Sequence, residues 1–194
     1  MQKAEITIDK SQIMIAGSIY GLCSEASAVR EALSAFKPGA VALGISGEDL
    51  EALRSNSDSD IYDSYFSNLS RFGKVSIPSP DLLASIEYAE EKDIEVYAID
   101  INDNDFSELL YNNVSSFELL ARSRRTKMRA KSADLFSMKW DKKKNKGGFE
   151  KINKMCEKRM AENVMKLARD HRKIFVLLDL PRFDGVLSAL SKLA

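Results

Sequence analysis

A single histidine, His171, stands among 29 acidic and 29 basic side chains, and that scarcity limits the chemistry open to this chain. Hydrolytic metal centres usually draw two or three imidazoles, so a conventional zinc-hydrolase site would have to be built almost wholly from carboxylates. The two cysteines, Cys23 and Cys156, lie too far apart for a zinc spacing. In a reducing compartment they read as small buried hydrophobes rather than as a bridge. Asp100, Asn102, Asp103 and Asp105 share the outline of a calcium loop, but no glycine stands at its sixth position and no glutamate at its twelfth. That spacing is common in turns, and no metal is expected there. There is no glycine-rich phosphate loop and no G-x-S-x-G elbow, and no cofactor is implied.

Asp179 and Arg182 are spaced i, i+3 behind the strongest apolar run of the chain, with Pro181 stiffening the turn. The plain reading is a local salt bridge or turn cap. The sharper one is an anion pocket that uses Arg182 and Tyr20 as its polar groups. Charge is distributed unevenly although it sums to zero. Residues 45–110 hold about sixteen acids against four bases, and residues 121–159 about fifteen bases against four acids. Arg122, Arg124, Arg125, Lys127, Arg129, Lys142, Lys143 and Lys144, with Trp140 nearby, form the candidate polyanion-binding region. Positive density beside an aromatic suits a nucleic-acid backbone. A run of charge is more often a solvated face, and here the acidic middle can neutralise it. Nucleic acid is therefore the less favoured partner.

These residues must be positioned by the elements around them. Ile6–Ile8 and Ile13–Ala16 read as a strand pair turning at Asp9–Gln12. A helix capped by Ser24 carries Ala28, Val29, Ala32, Leu33 and Phe36 on one face. Lys37-Pro38-Gly39 stops it, and Ala40–Leu43 follows as a strand buried on both faces. Helices are predicted at 48–54 and 60–71, and another opens at Ser79-Pro80-Asp81. A strand at Glu95–Asp100 precedes helices near 105–112 and 114–130. A basic loop lies near 139–148. A long helix from Phe149 to Asp170, a central strand at Lys173–Leu178 and a short helix from Phe183 to Leu193 complete the chain.

Strands alternating with helices predict an α/β fold: a mixed, largely parallel central sheet flanked by helices, with an N-terminal β-hairpin, in one domain over 1–194. In such sheets a site forms at the carboxyl ends of the strands. Those ends are Gly17–Tyr20, Gly44–Ser46, Asp100–Asn102 and Asp179–Arg182. No run approaches the length of a membrane span. The charged opening, Met1-Gln2-Lys3-Ala4-Glu5-Ile6, is unlike a signal peptide, and a cytoplasmic location with no membrane partner is expected. Leu109-Leu110-Tyr111 and Phe117-Glu118-Leu119-Leu120 form apolar stripes, read as core with a share available to a homodimer seam.

The same four strand ends carry a resemblance. Ile13–Leu53, Ser85–Glu91 into Val96–Asp100, and Gly148–Val164 with the strand at 173–178 and Phe183-Asp184-Gly185-Val186 resemble, in order, the TraB/PrgY/GumN family. The resemblance implies a metal-dependent peptidase site made of two G-x-x-H turns, a strand-ending glutamate and an arginine on the late helix. Carried over position by position, the first turn keeps Gly17 but has Tyr20 for histidine. The glutamate falls on Gly44. The arginine falls near Cys156, with Arg159 one helical turn away. The second turn becomes Asp179-Leu180-Pro181-Arg182. The membrane segment often appended in archaeal members is not expected here.

On that basis the candidate pocket comprises Gly17, Tyr20, Gly44, Asp100, Arg159, Asp179 and Arg182, with no catalytic residue and no metal ligand assigned. The expectation is a non-catalytic TraB-like domain serving as a binding or assembly module, a homo-oligomer or the partner of another protein. The alternative is a divergent hydrolase with a site rebuilt from Asp179, Arg182, Tyr20 and Arg159.

Overall fold

The computed structural model describes residues 1–55, 69–70, 73–118 and 147–194. Among them, five strands form one sheet. These are β1 (Gln2–Ile8), β2 (Ser11–Ser18), β3 (Ala40–Leu43), β4 (Glu95–Ala98) and β5 (Lys173–Asp179), ordered β1-β2-β5-β3-β4. Only the β1–β2 pair is antiparallel; β2–β5, β5–β3 and β3–β4 are parallel. The fold is the mixed, largely parallel α/β sheet with an N-terminal hairpin that the sequence implies. The hairpin turns through Asp9, whose φ of 52° is left-handed, a conformation Asp tolerates better than most residues.

Period-two alternation divides each strand between two cores. Met14, Ala16, Val41, Leu43, Phe175 and Leu177 face one side. There they meet α1 (Cys23–Phe36) and α3 (Pro80–Glu91), the first through Val29, Ala32, Leu33 and Phe36. Ile13, Ile15, Ala40, Ala42, Ile174, Val176 and Leu178 face the other. That side is closed by Met160, Ala161 and Val164 of α5 (Gly148–Asp170) and by Phe183, Val186 and Leu190 of α6 (Leu180–Leu193). β5 is covered on both faces, which is why its sequence is a continuous apolar run. Two shorter helices, α2 (Gly47–Ser55) and α4 (Asp103–Asn113), follow β3 and β4.

The boundaries depart from the sequence reading in informative ways. α1 begins at Cys23 behind Leu22, with no side-chain cap, so Ser24 lies inside the helix. Its other end does stop at Lys37, which is left-handed at φ 53° and donates its N–H to the Leu33 carbonyl. β4 ends at Ala98, two residues early, because Ile99 and Asp100 bend to donate their N–H groups to the carbonyls of Leu43 and Ile45. α6 opens at Leu180, with Pro181 in its first turn, where a missing N–H costs nothing. Most of the helices expected at 60–71 and 114–130 lies outside the described residues, as does most of the basic loop near 139–148. Among the described residues no helix is long and apolar enough to cross a membrane.

Candidate functional site

Because four strands run parallel, their carboxyl ends gather on one edge of the sheet. β2 brings Ser18 and Tyr20, β5 brings Asp179 and Arg182, and β4 brings Asp100. The first turn of α3 contributes Ser79 and Asp81. Asp81 is fully buried. One of its carboxylate oxygens accepts from Ser18 Oγ and the other from Ser79 Oγ at 2.5 Å. Ser79 Oγ in turn accepts from the Gly21 amide at 2.6 Å, tying the β2–α1 turn to the start of α3. The Tyr20 hydroxyl donates to the Leu177 carbonyl at 3.3 Å.

Asp179 ends β5 with Oδ1 buried and without a hydrogen-bond partner. Burial pushes its carboxyl up to about 6, although the Arg182 charge and the amides of Leu180 and Tyr20 act in the opposite direction. Tyr20 is raised well above its ordinary value, first by burial and then by the neighbouring charges of Asp179 and Asp81.

Arg182 does not form the expected pair with Asp179. Its Nη1 lies 2.5 Å from Asp100 Oδ2, an ion pair across the sheet edge between α6 and the β4–α4 loop. Within the first turn of α6, Leu180 and Phe183 pack toward Gly17 of β2, while the Arg182 guanidinium reaches the other way, to Asp100. Burial raises the Asp100 carboxyl, while Arg182 and the Ile101 amide, which donates to Oδ1 at 2.8 Å, oppose the rise. Cys156 is buried near this pair, and burial, followed by the Asp100 charge, pushes its thiol up to about 11. It is an inert packing group, as the sequence implies.

The two glycines carry a further message. A Cβ built on Gly44 would stand 2.8 Å from Leu178 Cδ2 and 3.3 Å from the Leu177 carbonyl oxygen. One on Gly17 would stand 2.9 Å from Phe183 Cδ2. The volume that side chains at 17 and 44 would need is occupied by Leu178 and Phe183.

The open space lies to one side. A groove of about 490 Å³ is bounded by Glu48 and Glu51 of α2, Asp100 and Asn102 of the β4–α4 turn, Asp105 in the first turn of α4, and Arg159 of α5. Of the seven expected pocket residues it contains only Asp100 and Arg159. Gly17, Tyr20, Gly44, Asp179 and Arg182 are not among its walls; they belong to the packed polar edge beside it. Arg159 is half-exposed and 4.0 Å from Glu162, so it borders the groove without replacing a buried arginine. The Asp100–Asp105 stretch is a helix start, in which Asn102 Oδ1 caps α4 by accepting from the Asp105 amide at 2.7 Å. Among the described residues no three His, Cys, Asp or Glu side chains converge as metal ligands.

His171 lies at the amino-terminal end of β5, where Nε2 is 3.1 Å from the Tyr97 hydroxyl, remote from the sheet edge described above. Arg122, Arg124, Arg125, Lys127, Arg129, Lys142, Lys143 and Lys144 lie outside the described residues.

Sequence reasoning missed Ser18, Ser79 and Asp81. Ser79-Pro80-Asp81 reads equally well as an ordinary helix start, and only the fold brings it beneath β2. Glu48 and Glu51 were legible only as part of the acidic middle segment. No protein-family model matches the chain, and no curated protein is significantly similar to it.

Proposed function

We propose that this protein is a cytoplasmic TraB-like domain that has lost the metal-hydrolase site and acts as a binding or assembly module. The observation that carries this reading is the packing at Gly44. At the position to which the resemblance assigns a glutamate, the buried Leu178 side chain lies 2.8 Å from where a Cβ would stand, so a side chain there would have to displace it and crowd the Leu177 carbonyl. The charge distribution agrees. A guanidinium, Arg182, neutralises Asp100 at 2.5 Å, and a fixed cation there disfavours a second, divalent one.

The test is thermal unfolding with and without millimolar manganese, cobalt or zinc. A ligand present at a hundred times its dissociation constant adds about 2.7 kcal/mol, which is several degrees for a chain of this length. No shift with any of the three supports the reading. A saturable shift refutes it and puts hydrolysis first.

The second reading, a divergent hydrolase with a rebuilt site, rests on Asp179. A carboxyl held to about 6 beside Tyr20 and Arg182 has the protonation behaviour of a general acid near neutrality. Ester or peptide hydrolysis that falls as pH rises through 6, and is lost in Asp179→Asn with the fold intact, would establish it. Turnover unchanged in that variant would dismiss it.

A further inference from the structure

β1 forms one border of the sheet, and no described strand pairs with its outer edge. It is seven residues long, against four for β4 on the opposite border. Which of its groups face outward follows from the hairpin. Gln12 donates its N–H to the Arg172 carbonyl at 2.8 Å, away from β1 and toward β5, and Gln12 stands opposite Thr7. Thr7–Gln12 is therefore a non-hydrogen-bonded pair of the β1–β2 ladder. Strict alternation then makes Lys3, Glu5 and Thr7 the residues whose N–H and C=O groups point out of the sheet. Their side chains are exposed, whereas Ala4 and Ile6 turn to the α5–α6 side and are only half-buried there. An open edge of this kind is a template for another strand.

We propose that β1 pairs antiparallel with β1 of a second copy of this chain, continuing the sheet across a two-fold axis at Ala4. Outward-facing groups must meet outward-facing groups, so odd-numbered residues pair with odd-numbered ones. Centring the axis on Glu5 sets two carboxylates against each other. Centring it on Ile6 sets Glu5 against Thr7 and leaves Lys3 opposite Asp9, which lies in the left-handed hairpin turn beyond the end of β1. Centring it on Ala4 places Lys3 opposite the second copy's Glu5, and does so twice by symmetry. Opposite charges in directly facing positions are favourable and like charges are not. The small Ala4 stands at the axis, and Ile6 gains a neighbour that covers its exposed side. This deepens the assembly part of the reading above by naming the partner and the seam. Its failure leaves the loss of the metal site standing, because the metal titration tests that separately.

The experiment is light scattering and sedimentation equilibrium on the full chain from micromolar to several hundred micromolar. The expected result is a reversible rise to twice the 21.7 kDa chain mass. Lys3→Glu and Glu5→Lys, each at an exposed site, place like charges opposite one another and weaken the dimer roughly ten-fold or more. Combining them restores opposite charges and recovers the dimer. Glu5→Pro removes an outward N–H without touching the β1–β2 ladder and leaves a monomer with an unchanged circular dichroism spectrum. A monomer at every concentration overturns the proposal. So does a dimer indifferent to both reversals and to Glu5→Pro, and weakening that the double variant fails to repair overturns the register.

Discussion

Replacing Asp179 by asparagine should stabilise the protein at neutral pH and flatten its response to pH. In the folded chain the Asp179 carboxyl is pushed from 3.8 up to about 6, chiefly by burial, with Oδ1 lacking any hydrogen-bond partner. The folded state thus holds this proton to higher pH than the unfolded state does. The associated stability is complete below the unfolded value and is lost as pH rises through about 6. A shift of this size corresponds to about 3 kcal/mol, of which about 1.4 kcal/mol disappears between pH 5 and pH 8. Asparagine is neutral throughout and keeps an oxygen for the amides of Leu180 and Tyr20. The variant should therefore exceed the wild type by about 3 kcal/mol at pH 8 and by about half that at pH 5. Urea unfolding of both proteins at the two pH values, extrapolated linearly to water, measures the gap. The difference between the proteins isolates Asp179 from other titrating groups, including Asp100. A gap that does not narrow toward pH 5, or a variant less stable than the wild type at pH 8, would refute the assignment of a desolvated carboxylate.

Other perturbations test the rest of the edge. Gly44→Ala should cost about 1–3 kcal/mol by crowding Leu178, and Gly44→Glu more, with no gain of metal-dependent stabilisation in a thermal scan. Arg182→Met should cost about 2–3 kcal/mol by stranding Asp100, with most of the loss recovered when Asp100→Asn is added; a double variant no better than the single one would show that the pair does not act as a unit. Ser79→Ala should cost about 1–3 kcal/mol in chemical unfolding, since it removes a donor from the fully buried Asp81 and an acceptor from the Gly21 amide.

Much of the fold was legible because burial leaves a periodic trace. The continuous apolar runs at Ile13–Ala16 and Ile174–Leu178 mark strands buried on both faces, and the i, i+3, i+4, i+7 spacing of Val29, Ala32, Leu33 and Phe36 marks the buried face of a helix. Helix ends were less legible. Ser24 reads as a cap, yet the Cys23 amide is satisfied instead by the Lys74 carbonyl, 51 positions away, a partner that local sequence does not reveal.

The candidate site divides along the same line. Composition, with one histidine and no close cysteine pair, led to the expectation that a conventional zinc centre would have to be built almost wholly from carboxylates, and strand ends indicated where polar residues would gather. Tertiary structure decided which of those residues meet. Arg182 and Asp179 are neighbours in sequence, but the first turn of α6 carries the guanidinium across to Asp100 and leaves the Asp179 carboxylate buried. Leu178 and Phe183 are simply apolar in the sequence; only sheet packing reveals that they occupy the space beside Gly44 and Gly17. Sequence periodicity reports which face of an element is buried. Which side chain fills a given volume depends on strand order and register, and in this chain those place the last strand, β5, at the centre of the sheet.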